Sequence, residues 1–196
     1  MPADAPAPTA PDTDARILDA ALDLFADLGI KRVTIDDIAR AAKVNRATLF
    51  RRLGSKDGIV RAAILRETTR VLDGISARVD PIDDPAERVV TGFAITVIAL
   101  RTNKILVKTL TVDAVDTLPA LTLAAGGVLD LATDFVAERI LTAAPAHATP
   151  AALAGMIVRL VHSLVLTPDA APRLDTEQQL REFATRLLVP LVLNRY

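Results

Sequence analysis

The chain has no cysteine and no tryptophan, two histidines, and one tyrosine, at position 196. Without cysteine it forms neither a disulfide framework nor a thiolate metal site. His147 and His162 have no carboxylate or second histidine at metal-ligand spacing, so neither a metal nor any other cofactor is expected. His162 and Ser163 are neighbours in sequence, but adjacent residues on a helix point about 100° apart and do not form a nucleophile–base pair. Glycine-rich phosphate loops and paired-carboxylate motifs are also missing, and the expectation is that the chain is not an enzyme. Aromatic residues make up only 3% of the sequence, which argues against an aromatic cage for a flat cation. The apolar stretch around Arg159 and His162 falls short of the roughly 20 residues a membrane helix needs. The opening MPADAPAPTAPDTD lacks the basic residues and apolar run of a signal peptide. Its proline, alanine and aspartate content reads as a disordered lead-in over 1–13, too acidic for a minor-groove arm. A cytoplasmic protein with no membrane partner is the resulting expectation.

What the sequence does contain is concentrated between Thr34 and Lys56, TIDDIARAAKVNRATLFRRLGSK. From Lys31 to Lys56 there are eight basic residues and two acidic ones, in a chain whose net charge is −1. Such a confined basic window is the footprint of phosphate binding when helical grammar surrounds it. Thr34 with Asp37 three residues later approximates a capping box for a helix running to about Ala42. Asn45 is a favourable N-cap for a second helix, in which Leu49 and Leu53 face inward at i and i+4. Gly54 ends that helix, and Ser55 caps the next. Two short helices joined by a tight turn, the second one basic, have the size to enter the major groove of B-DNA.

ARILDAALDLFADLG (Ala15 to Gly29) followed by VTIDDIARAAKVNRATLFRRLGSKDGIV (Val33 to Val60) resembles the DNA-binding domain of tetracycline-repressor-type (TetR/AcrR) regulators. Three positions depart from the usual pattern. Phe50 stands where tyrosine is usual, Arg52 where a histidine or tyrosine is usual, and Leu53 where phenylalanine is usual. The resemblance implies a double-stranded DNA partner, contacted by Thr34, Asn45, Arg46, Ala47, Thr48, Phe50, Arg51, Arg52 and Lys56. Arg46, Thr48 and Arg51 are the candidate base readers, arginine because it bonds bidentately to guanine. Thr34, Arg52 and Lys56 are the candidate phosphate contacts.

Beyond Lys56 the chain reads as helices punctuated by proline: one to Val79, one from Pro85 to Thr102, and shorter pieces over Asn103–Val115 and Leu118–Ala143. Two strongly patterned helices close it, with Pro168 and Pro172 between them. The fold class expected is all-α: a helix-turn-helix unit over 14–56, then a helical ligand-binding and dimerisation bundle over 57–196. Leu153, Met156, Ile157, Leu160 and Leu164 on one closing helix, and Leu180, Phe183, Leu187 and Leu191 on the other, repeat at helical spacing. Part of each stripe must face the monomer's own core, and the rest is expected to pair with a second copy as a four-helix bundle. A homodimer is what a palindromic operator requires. Phe93, Val97, Leu100, Leu106, Leu110, Leu121, Val128 and Phe135 are the candidate lining of a pocket for a small apolar ligand, each with plain core as its alternative. Arg101, Lys104 and Lys108 at i, i+3, i+7 read as a solvated face, with anchoring of a carboxylate or phosphate as the alternative. The function implied is a ligand-released, sequence-specific transcriptional repressor. A DNA-binding architectural or protein-regulating dimer, without ligand-controlled repression, is the competing reading.

Overall fold

A computed structural model describes residues 13–112, 118–119 and 121–193, and all regular structure among them is helical. In chain order the helices are α1 (Thr13–Leu28), α2 (Ile35–Ala41), α3 (Arg46–Leu53), α4 (Lys56–Val79), α5 (Pro85–Thr102) and α6 (Lys104–Thr111). They are followed by α7 (Gly126–Ala143), α8 (Pro150–Leu166), α9 (Glu177–Phe183), a π turn (Ala184–Leu188) and α10 (Val189–Leu193). Most of the N-terminal segment expected to be disordered lies outside the described residues, as do Val115 and Tyr196, and Thr13 is the first residue of α1.

Two compact units divide between Glu67 and Thr68, inside α4, not after Lys56 as the sequence suggested. The reason is local. Ile59 and Ala63 on the first turns of α4 are fully buried, and Arg66 donates to both carboxylate oxygens of Asp19 on α1 at 3.0 and 3.2 Å. In the first unit α1 contributes Ile17, Ala21, Leu22 and Phe25, an i, i+4, i+5, i+8 stripe that faces α2 and α3. Val33, Ile38 and Leu49 complete that core, all fully buried.

In the second unit Asp84 caps α5 by accepting from the N–H groups of Ala86 and Glu87, and Pro85 occupies the first helical position. The inner face of α5 (Val90, Phe93, Ala94, Val97) packs against Val161 and Leu164 of α8 and Leu180 of α9. A second cluster joins Ile140 of α7, Leu153 and Ala154 of α8 and Val192 of α10. A third joins Ile75 and Val79 to Ile95. Each fully buried side chain of this size contributes about 1.5–3 kcal/mol relative to exposure. Asn103 both ends α5 and opens α6, its side chain accepting from Leu106 N–H at 3.0 Å. The helix expected from Leu118 to Ala143 is interrupted: Leu118, Pro119 and Leu121 are helical, a turn follows over 122–124, and α7 begins at Gly126, so the two glycines lie at its start and not in its interior.

Arg101 is not on a solvated face. Its guanidinium donates to the carbonyls of Leu174 at 2.6 Å and Leu164 at 3.0 Å, tying the last turn of α8 to the loop that leads into α9. Arg181 of α9 pairs with Glu87 of α5 and donates to Thr91 Oγ1 at 3.2 Å. The Arg181 guanidinium and the Thr91 hydroxyl hold the Glu87 carboxyl below its ordinary range.

The π turn ends two residues before Pro190, which has no N–H and whose ring crowds the carbonyl four residues back, that of Arg186. The extra residue in this turn rotates everything after it relative to an unbroken α-helix. Leu188 and Val192 go inward, whereas Leu187 is left 51% exposed. Among the described residues no single helix is long and apolar enough to cross a membrane; α5 and α6 reach that length and hydropathy together, but only across a 55° bend.

Candidate nucleic-acid interface

The expected capping box is present. Asp37 N–H donates to Thr34 Oγ1 at 3.2 Å, and Thr34 N–H donates to Asp37 Oδ2 at 3.0 Å. The Thr34 hydroxyl donates to the same oxygen at 2.6 Å. These bonds, with Arg40 nearby, hold the Asp37 carboxyl below its ordinary range. The turn after α2 needs one left-handed residue, and it is Lys43, at φ 53°, not a glycine or asparagine. Arg16 of α1 donates to the carbonyl of Ala42 at 2.6 Å and so pins this turn to the first helix. Arg16 carries no mark in the linear sequence, because its role depends on a contact 26 residues away.

Asn45 caps α3, its side chain accepting from Thr48 N–H at 2.7 Å. Leu49 is fully buried and Leu53 half-buried. Arg46, Ala47, Phe50 and Arg51 lie at i, i+1, i+4, i+5 and form one exposed face; Thr48 is half-buried beside it. Gly54 ends the helix at φ +74°, and its N–H donates to the Phe50 carbonyl at 2.9 Å. Gly58 makes the next step possible: a Cβ there would lie 2.4 Å from the Leu53 carbonyl oxygen, so only glycine lets α4 start this close to the end of α3. Ser55 Oγ accepts from Gly58 N–H at 3.2 Å, capping α4 as expected.

Three cations on this surface, Arg46, Arg52 and Lys56, have partners within the chain. Arg46 pairs with Asp36 at 3.2 Å and its guanidinium lies over the Phe50 ring, 5.4 Å from the centroid. Arg52 pairs with Asp14 of α1 at 3.0 Å. Lys56 Nζ donates to the Lys31 carbonyl at 3.1 Å, leaving two of its three N–H donors for other acceptors. The fold therefore brings Arg46, Phe50 and Asp36 together, a grouping the spacing in sequence does not announce.

The candidate pocket residues divide. Phe93 and Val97 are 6% and 0% exposed and belong to the core of the second unit, where Phe93 stacks on Phe183 at a centroid distance of 5.7 Å. For these two the structure shows the plain-core alternative, with residues of the closing helices packed against them. Leu100, Leu106, Leu110, Leu121, Val128 and Phe135 are half-buried. Leu121 offers its carbonyl to His162 Nε2 at 2.8 Å, and Phe135 lies under the Arg139 guanidinium at 3.8 Å. Two open grooves of about 490 and 340 Å³ flank Glu182 and Arg186, and neither is lined by any of the eight.

The dimer candidates divide in the same way. Leu153, Leu164 and Leu180 are 8%, 4% and 0% exposed within the chain itself, so they are core and not surface. The periodicity is real, but it points them at α5 and α7 of their own chain. Ile157, Leu160, Phe183 and Leu191 are half-buried, and Met156 and Leu187 are each 51% exposed.

Residues 17–63 match the family model of bacterial regulatory proteins of the tetR family. This unit belongs to the tetR family. Over 88 residues the chain is 35% identical to the HTH-type transcriptional regulator Rv1255c of Mycobacterium tuberculosis, covering 45% of this chain and 44% of the relative. Over 77 residues it is 34% identical to the HTH-type transcriptional regulator AlkX of the same species, covering 37% and 36%. The chain thus spans less than half the length of the curated relatives it matches. The likeness in fold reaches further. The crystal structure of the TetR family repressor AlkX from Dietzia sp. superposes with a TM-score of 0.73 at 18% identity, covering 95% of this chain and 97% of that one. SCO7518 from Streptomyces coelicolor superposes with a TM-score of 0.66 at 22% identity, covering 90% and 98%. The tetR-type all-helical fold therefore extends over nearly the whole chain.

Proposed function

We propose that the protein is a homodimeric, sequence-specific DNA-binding repressor, released from a palindromic operator by a small apolar ligand. The observation that carries this is the exposed face of α3, Arg46, Ala47, Phe50 and Arg51, held on a tetR-family helix-turn-helix with Lys56 at the start of the next helix. A side-chain set of this kind reads base edges with its arginines while the flanking lysine sits on phosphate. Met156 and Leu187, exposed on α8 and beside α9, support a seam with a second copy. An aliphatic ligand suits the threonine-dotted apolar helices α5 to α7, and the AlkX repressor from Dietzia is implicated in biodegradation of n-alkanes. The ligand need only favour one spacing of the two recognition helices by a few kcal/mol to shift operator occupancy ten- to a hundredfold.

The test is a footprint of the protein on the DNA flanking its own gene, repeated with n-alkanes, fatty acids and acyl-thioesters. Protection of a palindrome, lost at the ligand concentration that raises the melting temperature, is the expected result. Salt-dependent binding with no sequence preference would replace the repressor with an architectural DNA-binding protein.

A further inference from the structure

We infer that Asp36 is a specificity-determining residue, one that sets the pose of Arg46 for base reading; the inference rests on the DNA-reading role proposed for α3. Asp36 is the second residue of α2, an acid standing in a window otherwise dominated by cations. Both of its carboxylate oxygens accept from Arg46 Nη1, each at 3.2 Å. The guanidinium carbon of the same side chain lies over the ring of Phe50, one turn further along α3, 5.4 Å from its centroid. No other partner of the Arg46 guanidinium is found among the described residues, so the edge formed by Nε and Nη2 is open.

Guanine is read by two parallel N–H groups aimed at O6 and N7, which demands a guanidinium fixed in plane as well as in position. A long exposed arginine ordinarily loses much rotamer freedom when it docks. Here a carboxylate holds one terminal nitrogen and an aromatic ring lies beside the group before any DNA arrives. The side chains are 60% and 59% exposed, so the ion pair contributes little to folding, and its effect is on where the arginine points. Asp36 has a second effect of the same sign. A negative charge on this surface weakens attraction to any phosphate backbone, and so lowers non-specific binding more than specific binding. The ordinary role of an acid in a first turn, favouring the positive end of the helix, predicts an influence on stability alone.

The experiment is selection from a randomised duplex library by the full chain, followed by titration of the selected and of an unrelated duplex. Wild type is expected to enrich one motif. Asp36→Asn should enrich the same motif with about tenfold weaker discrimination at a single base pair, the one at which Arg46→Ala also loses discrimination. Its affinity for the unrelated duplex should rise severalfold at low salt, with an unchanged melting temperature. Arg46→Lys, which keeps the charge but not the planar fork, should lose the same position. The double variant Asp36→Asn with Arg46→Ala should be no worse there than Arg46→Ala alone. Asp36→Asn with undiminished discrimination at every position, or with an equal loss at all of them, overturns the role of Asp36 while leaving base reading by α3 intact. A wild-type chain that enriches no motif overturns the reading by α3 and this inference together.

Discussion

Arg46 in the first unit and Arg101 in the second carry the same group to opposite ends. Arg46 is 60% exposed, leans on a carboxylate and a ring, and keeps one edge open. Arg101 is half-buried and donates to two backbone carbonyls, those of Leu164 and Leu174. In sequence each belongs to a run of basic residues, and nothing in the runs themselves separates them. The difference lies in what surrounds the guanidinium. Where helix-end carbonyls lack partners, an arginine becomes a structural bracket. Where a short capped helix turns its charged face outward, it remains available to a ligand.

The comparison breaks most visibly if the two arginines are removed in turn. Arg101→Met leaves two carbonyls at the end of α8 and in the following loop without their charged donor. It should lower the stability of the chain by about 3 kcal/mol, as read by urea unfolding. Arg46→Ala should stay within about 0.5 kcal/mol of wild type in the same experiment. Equal losses would mean that Arg46 is also a bracket.

A smaller effect tests how firmly the exposed face is mounted. Gly58→Ala places a methyl against the Leu53 carbonyl, so the end of α3 or the start of α4 must shift. We expect a loss of about 2 kcal/mol in stability, with weaker DNA binding from an otherwise unaltered set of contacts. Gly74→Ala, where the added Cβ meets nothing within 4 Å, is the matching control and should not destabilise. The smallest effect concerns Phe50. Phe50→Tyr keeps the ring under Arg46 and adds a donor on the exposed face, and should tighten DNA binding by about 1 kcal/mol in a titration at fixed salt. A loss of affinity would place the ring edge against an apolar group such as a thymine methyl.

The helix-turn-helix was largely legible because its boundaries are written in local chemistry. Thr34 with Asp37, Asn45, Gly54 and Ser55 each act within four residues of themselves, and each caps or ends the helix that its type suggests. Pro85 marks the start of α5 on the same grounds. What escaped depends on distance. The periodicity of Leu153, Leu164 and Leu180 announces burial but not the partner, and the partner is their own chain. Phe93 and Val97 are apolar in the right region for a pocket, yet Phe183 and its neighbours occupy the space. An unbroken α pattern keeps Leu187 in line with Leu180, and the π turn before Pro190 moves it out. Lys43 at positive φ, Arg16 on the turn and Asp36 on Arg46 each rest on contacts or strain that no residue type signals by itself.

The central claim is that one surface divides its work, arginine of α3 for sequence and lysine of α4 for phosphate. It is tested most directly by titrating the wild type, Arg46→Ala and Lys56→Ala against the selected and an unrelated duplex over a range of salt. Lys56→Ala should weaken both duplexes alike and reduce the salt slope by about one. Arg46→Ala should cost about 1–3 kcal/mol on the selected duplex alone. A changed sequence preference in Lys56→Ala, with Arg46→Ala leaving the preference untouched, would contradict the account.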